Sequence, residues 1–220
     1  MFKVKRVITL VTILTAIVFS QIVSAKQSSI GILVFDGFLT SDVTAPVEVF
    51  GAATKTSWFS SYNVVIISAT KNRTVTSEEG LTIVSDKTIY DDLDLDVLIV
   101  PSAYDMKEHI NNKALINFIN KKNKTASWVA SNCSGAMLLG EAGILDGKKA
   151  TTWFGGEADL KKSYPKIDVQ FNQNVVVADR IVTSNGGPIS YEAAFVLLEK
   201  LSSKKFSDEI SASIQFDRIN

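Results

Sequence analysis

A chain of 220 residues that is 46% hydrophobic and 21% charged carries enough apolar material for one domain with a sizeable core. Its 23 basic and 23 acidic residues balance to a formal charge of zero, which argues against nucleic acid or an anionic membrane surface as the partner. With 12 glycines, 4 prolines and a single cysteine, neither a low-complexity chain nor a disulfide framework fits.

The first segment differs from the rest. "MFKVKR" carries Lys3, Lys5 and Arg6, and the uncharged run "VITLVTILTAIVFSQIV" follows, ending at Val23 just before Ser24 and Ala25. A basic start, an apolar middle and a small-x-Ala end predict a secretory signal peptide over residues 1–25, cut after Ala25 and leaving a single domain over 26–220. The alternative is an uncleaved anchor, because this apolar run sits at the short limit of about 17 residues for a spanning helix. The expected location is therefore secreted or periplasmic, with a membrane involved only through an uncleaved segment. Without Lys3, Lys5 and Arg6, 20 basic residues face 23 acidic ones, a mild imbalance. In an oxidising compartment one cysteine finds no internal partner, so Cys133 calls for either burial or a use.

Beyond the leader, "SIGILVF" (29–35) reads as a buried strand. "TSDVTAPVEVFGAAT" (40–54) has helical spacing at Val43, Val47, Phe50 and Ala53, with Thr40 or Ser41 as its cap. Pro46 inside it predicts that the helix starts near Ala45 or bends there. "YNVVIISAT" (62–70) is a second strand, and "RTVTS" and "GLTIVS" form a short pair across "EEG". "DVLIVP" (96–101) is a strand stopped by Pro101, and "NKALINFINKK" (112–122) is an amphipathic helix with lysines at its end. "ASWVAS" (126–131) is the next strand and "SGAMLLGEAG" (134–143) the helix after it. "GGEADLKKSY" (155–164) is helical, "VVVADRIVTS" (175–184) a hairpin, and "GGPISYEAAFVLLEKL" (186–201) a strong helix with Pro188 in its first turn. The tail "KKFSDEISASIQF" adds one short helix.

Alternating strands and helices predict an α/β fold, a mostly parallel sheet covered on both faces. Such sheets place the functional crevice beyond the carboxyl ends of their strands. "DGFLTSD", "PSAYD", "SNCSG" and "SNGGP" should all reach that edge. "ASWVASNCSGAM" has the strand–nucleophile–helix arrangement of a nucleophile elbow, with the small residues Ser131 and Gly135 two before and two after Cys133. An elbow holds its nucleophile in a strained turn at a helix start, where unpaired N–H groups favour a thiolate and can receive an oxyanion. The bland alternative is an ordinary buried cysteine in a βα turn. Asp42 and Glu48 lie near the first strand's end, where a solvated helix face is the plain reading. "SNGGP", with Asn185 and Gly186, could receive an anion at a helix start, but two glycines are a weak signal.

The blocks "DGFLTSDVTAPVEVFGAA", "VLIVPSA", "NCSGAMLLGEAGILDGKKATT" and "NVVVADRIVTSNGG" resemble successive segments of the ThiJ/PfpI family, within the class I glutamine-amidotransferase-like superfamily. The pattern lies nearest its isonitrile hydratase branch and the ligand-binding domains of AraC-like regulators. The resemblance covers roughly residues 29–200 and implies a flavodoxin-like three-layer sandwich that forms a homodimer. It makes Cys133 the nucleophile, Asp42 a protonated acid facing the sulfur, and Ser134 a hydroxyl that assists the reaction. It also assigns the oxyanion hole to backbone N–H groups of Ser134, Ser102 and Ala103, with Glu48 lining the site. Two positions depart from the family. Pro101-Ser102-Ala103 replaces P-G-G, and Trp153 stands where a histidine often follows A-T-T. Trp153 is then either a wall of the ligand pocket or, with Phe154, a core or interface aromatic.

His109, the only histidine, lies in "MKEHINN" and reads as an exposed loop or cap residue, so a Cys–His dyad of the protease type is not supported. Zinc-type spacing, a phosphate-binding glycine loop and a basic aromatic patch are missing from the sequence, so neither metal nor cofactor is expected. The expected function is an exported cysteine-dependent hydratase or hydrolase acting on a small electrophile such as an isonitrile or oxoaldehyde. A non-catalytic small-ligand or redox-sensing protein is the alternative. A transcription regulator ranks last, since the tail after Leu201 leaves no room for a DNA-binding domain.

Overall fold

Runs of Val, Ile and Leu with neither face polar must be covered on both sides, and they form the centre of a seven-stranded sheet. The computed structural model describes residues 27–56 and 61–219, so the expected leader at 1–25 lies outside the described residues. In chain order come β1 (Ser28–Val34), α1 (Thr40–Thr56), β2 (Tyr62–Ser68), β3 (Thr74–Thr76), β4 (Thr82–Val84), β5 (Lys87–Thr88) and β6 (Val97–Val100). Then follow α2 (Lys107–Asn111), α3 (Lys113–Thr125), β7 (Trp128–Asn132), α4 (Gly135–Glu141), β8 (Lys149–Ala150), α5 (Glu157–Ser163) and β9 (Asp168–Val169). The chain closes with β10 (Val175–Ala178), β11 (Ile181–Ser184), α6 (Ile189–Leu201), α7 (Lys204–Ser213) and a 3-10 turn at Phe216–Arg218.

The sheet runs β10-β11-β7-β6-β1-β2-β5, and every pairing is parallel except the β10–β11 hairpin. This is the expected mostly parallel α/β architecture. Helices α1, α6 and α7 pack against one another, and α2 to α5 form a second contacting group. Ile30, Ile32, Leu33, Val97, Leu98 and Val129 are fully buried between them. The β3–β4 ribbon forms as the sequence predicts. Among the described residues no helix is long and apolar enough to cross a membrane.

Helix α1 corrects one expectation. It begins at Thr40 and runs through Pro46 without a fresh start at Ala45. Proline has no N–H for the carbonyl four residues earlier, and its ring crowds that carbonyl. Here that carbonyl is Asp42 O, which accepts a hydrogen bond from the Asn132 side chain at 3.0 Å, so the helix loses no partner at the break. Val47, expected in the apolar stripe, is 37% exposed, and the buried stripe runs through Val43, Val49, Phe50 and Ala53.

His109 is not in an exposed loop. It lies in α2, half-buried, with its ring stacked on Phe35 at a centroid distance of 4.0 Å. This short helix folds back on the end of β1, and burial pushes the imidazole pKa down.

Candidate active site

The carboxyl ends of β1, β6, β7 and β11 converge, and the four segments expected at that edge meet there. Cys133 follows β7 in a turn with φ 50°, a conformation that non-glycine residues rarely adopt. The turn is held from both sides, since Cys133 N–H donates to Ser184 O and the Thr152 hydroxyl donates to Cys133 O, each at 2.9 Å. Such over-determined strain marks functional positions. Gly135 is required two residues later, because a Cβ there would lie 2.5 Å from Val100 O and 2.7 Å from Pro101 O. Helix α4 can start against the end of β6 only without that side chain.

Asp42 is fully buried behind the cysteine. Its Oδ1 accepts from Gly187 N–H and the Ser190 hydroxyl, each at 2.9 Å. Its Oδ2 accepts from Ser102 N–H at 3.1 Å and from the Ser102 hydroxyl. One carboxyl thus ties together α1, the loop after β6 and the start of α6. Burial raises its pKa, and the hydrogen bonds from Ser102, Ser190 and Gly187 offset only part of that rise.

Gly186 leaves free the space where the acid and the cysteine approach each other. At φ +75°, a Cβ on it would come 2.3 Å from Cys133 Cβ and 2.9 Å from Asp42 Oδ1. Gly186 belongs to the site through this close approach. Asn185 is turned away, its side chain donating to Thr152 O, and it braces the same loop from outside the cavity.

The thiol differs from the expected stabilised thiolate. Burial, and next the charge of Asp42, push the Cys133 pKa up, while the Ser102 hydroxyl and the Ser134 N–H and hydroxyl pull it down by less. The Ser134 hydroxyl donates to Ala103 O at 2.8 Å.

The expected oxyanion hole in the Pro101-Ser102-Ala103 loop is not formed. Ser102 N–H is committed to Asp42, and Ala103 N–H donates to Met106 Sδ at 3.2 Å. The Ser102 hydroxyl adds a second bond to the same carboxyl, which glycine could not supply. Of the three N–H groups expected, only that of Ser134 bears on the sulfur. Glu48 does not line the site either. It is exposed on the outer side of α1, where it accepts from the Tyr191 hydroxyl of α6.

In front of the sulfur lies a cavity of about 600 Å³, lined by Leu39, Ala103, Tyr104, Met106, Ile110, Cys133, Ser134, Met137, Trp153, Ser163 and Tyr164. Trp153 is a wall of this cavity. Phe154, 75% exposed, is no core residue. The sequence reading missed the walls contributed by α2 and α5 and the role of Ser190, whose only signal was a hydroxyl on the buried face of α6. Among the described residues no group of three His, Cys, Asp or Glu side chains is placed to hold a metal ion.

A strained cysteine at the carboxyl edge of a mostly parallel sheet, with an acid from the first helix behind it, defines an α/β protein with a cysteine elbow. The chain belongs to the DJ-1/PfpI family, whose sequence pattern it matches over residues 28–200. It is 28% identical to the isonitrile hydratase of Pseudomonas putida over 172 residues, covering 78% of this chain and 71% of that protein. It is 31% identical over 137 residues to protein DJ-1 homolog A of Arabidopsis thaliana, covering 60% of this chain but 34% of that longer protein. The fold superimposes on a ThiJ/PfpI family protein from Pseudomonas syringae with a TM-score of 0.77 at 22% identity, over 90% of this chain and 78% of that one.

Proposed function

We propose that this cavity is a cysteine-dependent reaction site for a small, uncharged electrophile, with chemistry of the hydratase or hydrolase type. The observation that carries this reading is the strained Cys133 on the wall of a cavity of about 600 Å³ to which, among the described residues, no charged side chain contributes. Leu39, Met106, Ile110, Met137 and Trp153 favour an apolar body, and Cys133 and Ser134 present the polar groups. The similarity to an isonitrile hydratase supports an isonitrile as the first substrate to test, with an α-oxoaldehyde as the second.

In the isonitrile case sulfur bonds to the terminal carbon, and the thiol proton ends on that carbon to give a thioimidate. Water then adds to the same carbon and the C–S bond breaks. One water proton goes to nitrogen and the other restores the thiol, releasing an N-substituted formamide. Ser134 N–H is positioned to stabilise charge that develops beside the sulfur, and the buried Asp42 carboxyl, its pKa raised by burial, is able to take up or return a proton behind it. His109 is stacked on Phe35 and is not part of the cavity lining, so proton movement falls to the carboxyl and the hydroxyls.

The test is turnover of alkyl and aryl isonitriles and of methylglyoxal by the wild type and by Cys133→Ser. Turnover by the wild type that falls to background in the variant is the expected result. An unchanged rate in Cys133→Ser would remove the proposal. A second reading, a small-ligand or redox-sensing protein without turnover, is favoured by the commitment of the Ser102 and Ala103 N–H groups. Saturable binding of the same isonitriles with no product would select it.

The same proposal places the mature domain at 26–220 outside the cytoplasm after cleavage near Ala25, as a homodimer. The Val23-Ser24-Ala25 end supports the cut, and Tyr104 and Phe154, 76% and 75% exposed, are aromatic surface that a second copy would cover. Mass measurement of the secreted chain and light scattering in solution test these two points.

A further inference from the structure

The residue before Cys133 closes a hydrogen-bonded circuit behind the site. Asn132 ends β7 and is 2% exposed. Its Nδ2 donates to Asp42 O at 3.0 Å, and its Oδ1 accepts from the Ser184 hydroxyl at 2.7 Å. The Ser184 oxygen in turn accepts from Gly186 N–H at 3.2 Å. The sense of each bond is fixed by chemistry. A main-chain carbonyl can only accept, so the amide nitrogen faces Asp42, and the amide oxygen is left for the serine. The Asp42 carbonyl is free to accept because Pro46 supplies no N–H to it. Pro46 and Asn132 are thus two halves of one device, in which the helix gives up an internal bond and the elbow strand takes it over.

The geometry points to Asn132 as a positioning residue that locks the start of α1, the cysteine elbow and the Gly186 loop at fixed spacing. It holds the Asp42 carboxyl against the thiol without touching substrate itself. The lock does not depend on which electrophile the cavity takes, and it would operate equally in a non-catalytic binding protein. An amide is suited to the task because it donates and accepts at once, and it adds no charge beside a buried carboxyl. The groups that bear on the sulfur are the Asp42 carboxyl from α1, the Ser102 hydroxyl from the loop after β6, and the Ser134 N–H and hydroxyl. Of these only Asp42 can carry a charge, so its displacement reads out in the thiol.

The experiment is a double-mutant cycle on the full chain, read by the pH dependence of Cys133 alkylation with iodoacetamide and by thermal unfolding. Asn132→Leu removes both hydrogen bonds at similar volume. Asp42 then drifts from the sulfur and the alkylation midpoint moves down, raising the rate at neutral pH by roughly threefold or more. Pro46→Ala returns an N–H to the helix, so the Asp42 carbonyl no longer needs the amide. In that background the further change to Leu costs only the Ser184 bond, which does not reach Asp42, and should alter the rate by less than about twofold. Should Asn132→Leu alone not fold, the double variant is expected to fold and to alkylate like Pro46→Ala. A wild-type midpoint in Asn132→Leu, an equal effect in both backgrounds, or a double variant that also fails to fold would overturn the assignment.

Discussion

Asp42 faces four donors, and two of them, the N–H groups of Ser102 and Gly187, can do nothing but donate. Each carboxyl oxygen therefore has one partner that requires a lone pair. Replacing the carboxyl by an amide sets an NH2 against one of those N–H groups, so Asp42→Asn is expected to destabilise the fold. It is also expected to lower the alkylation midpoint of Cys133, because the charge of Asp42 is among the causes that raise it. An unchanged midpoint would mean that the acid is neutral at rest, as the family resemblance implies. Gly135→Ala is a separate case. Its new Cβ would press on main-chain oxygens of Val100 and Pro101, which cannot rotate away as a side chain would. A loss of about 3 kcal/mol in urea unfolding is expected, at the upper end of ordinary overpacking.

The elements divide by how much of their stability is local. Helix α3 is capped by Asn112, whose side chain accepts from Ala114 N–H at 3.1 Å and Leu115 N–H at 3.2 Å. Asn112→Ala should cost about 1 kcal/mol in denaturant unfolding and leave Cys133 alkylation unchanged, since α3 is absent from the cavity wall. Elements with such local signals were legible. The β-branched runs marked the long strands, and the small residues around Cys133 marked the elbow, where Gly135 and the positive φ of Cys133 follow from close packing. The two-residue strands β5, β8 and β9 are too short for any periodicity to show. Pro46 reads as a helix start or a bend because its cost is local, whereas the remedy comes from Asn132, ninety positions from the Asp42 carbonyl it bonds. The Ser102 and Ala103 N–H groups were assigned to an oxyanion because a sequence motif does not show which acceptors lie behind it. Cavity walls from α2 and α5 were illegible for the same reason, as their apolar residues look like ordinary core until the helices are placed.

For the molecule as a whole, these shifts make stability depend on pH in separable windows. Asp42 binds its proton more tightly in the folded chain than at its ordinary value of 3.8, so its contribution falls as pH rises from 3.8 through its raised value. Half-buried His109 acts in the opposite direction. Its folded pKa lies below 6.5, so stability increases as pH rises through that value toward 6.5. Exposed Glu79, Asp91 and Asp179 are held below their ordinary values by Thr40, Thr88 and Lys148 respectively, so what they contribute is lost only as pH falls below about 4. Cys133 opens a window at the alkaline end, where stability falls as pH rises above 9.0 because the folded chain retains the thiol proton. Urea unfolding from about pH 4 to 9 should therefore show wild-type stability falling relative to Asp42→Asn as pH increases, although the variant is the less stable protein in acid. Above 6.5 the histidine window is closed, and any remaining difference in slope below 9.0 belongs to Asp42. Parallel profiles for the two proteins would show that the buried carboxyl does not change its ionisation on folding. In that case its four donors, and not its charge, would be its whole contribution to holding the sheet edge together.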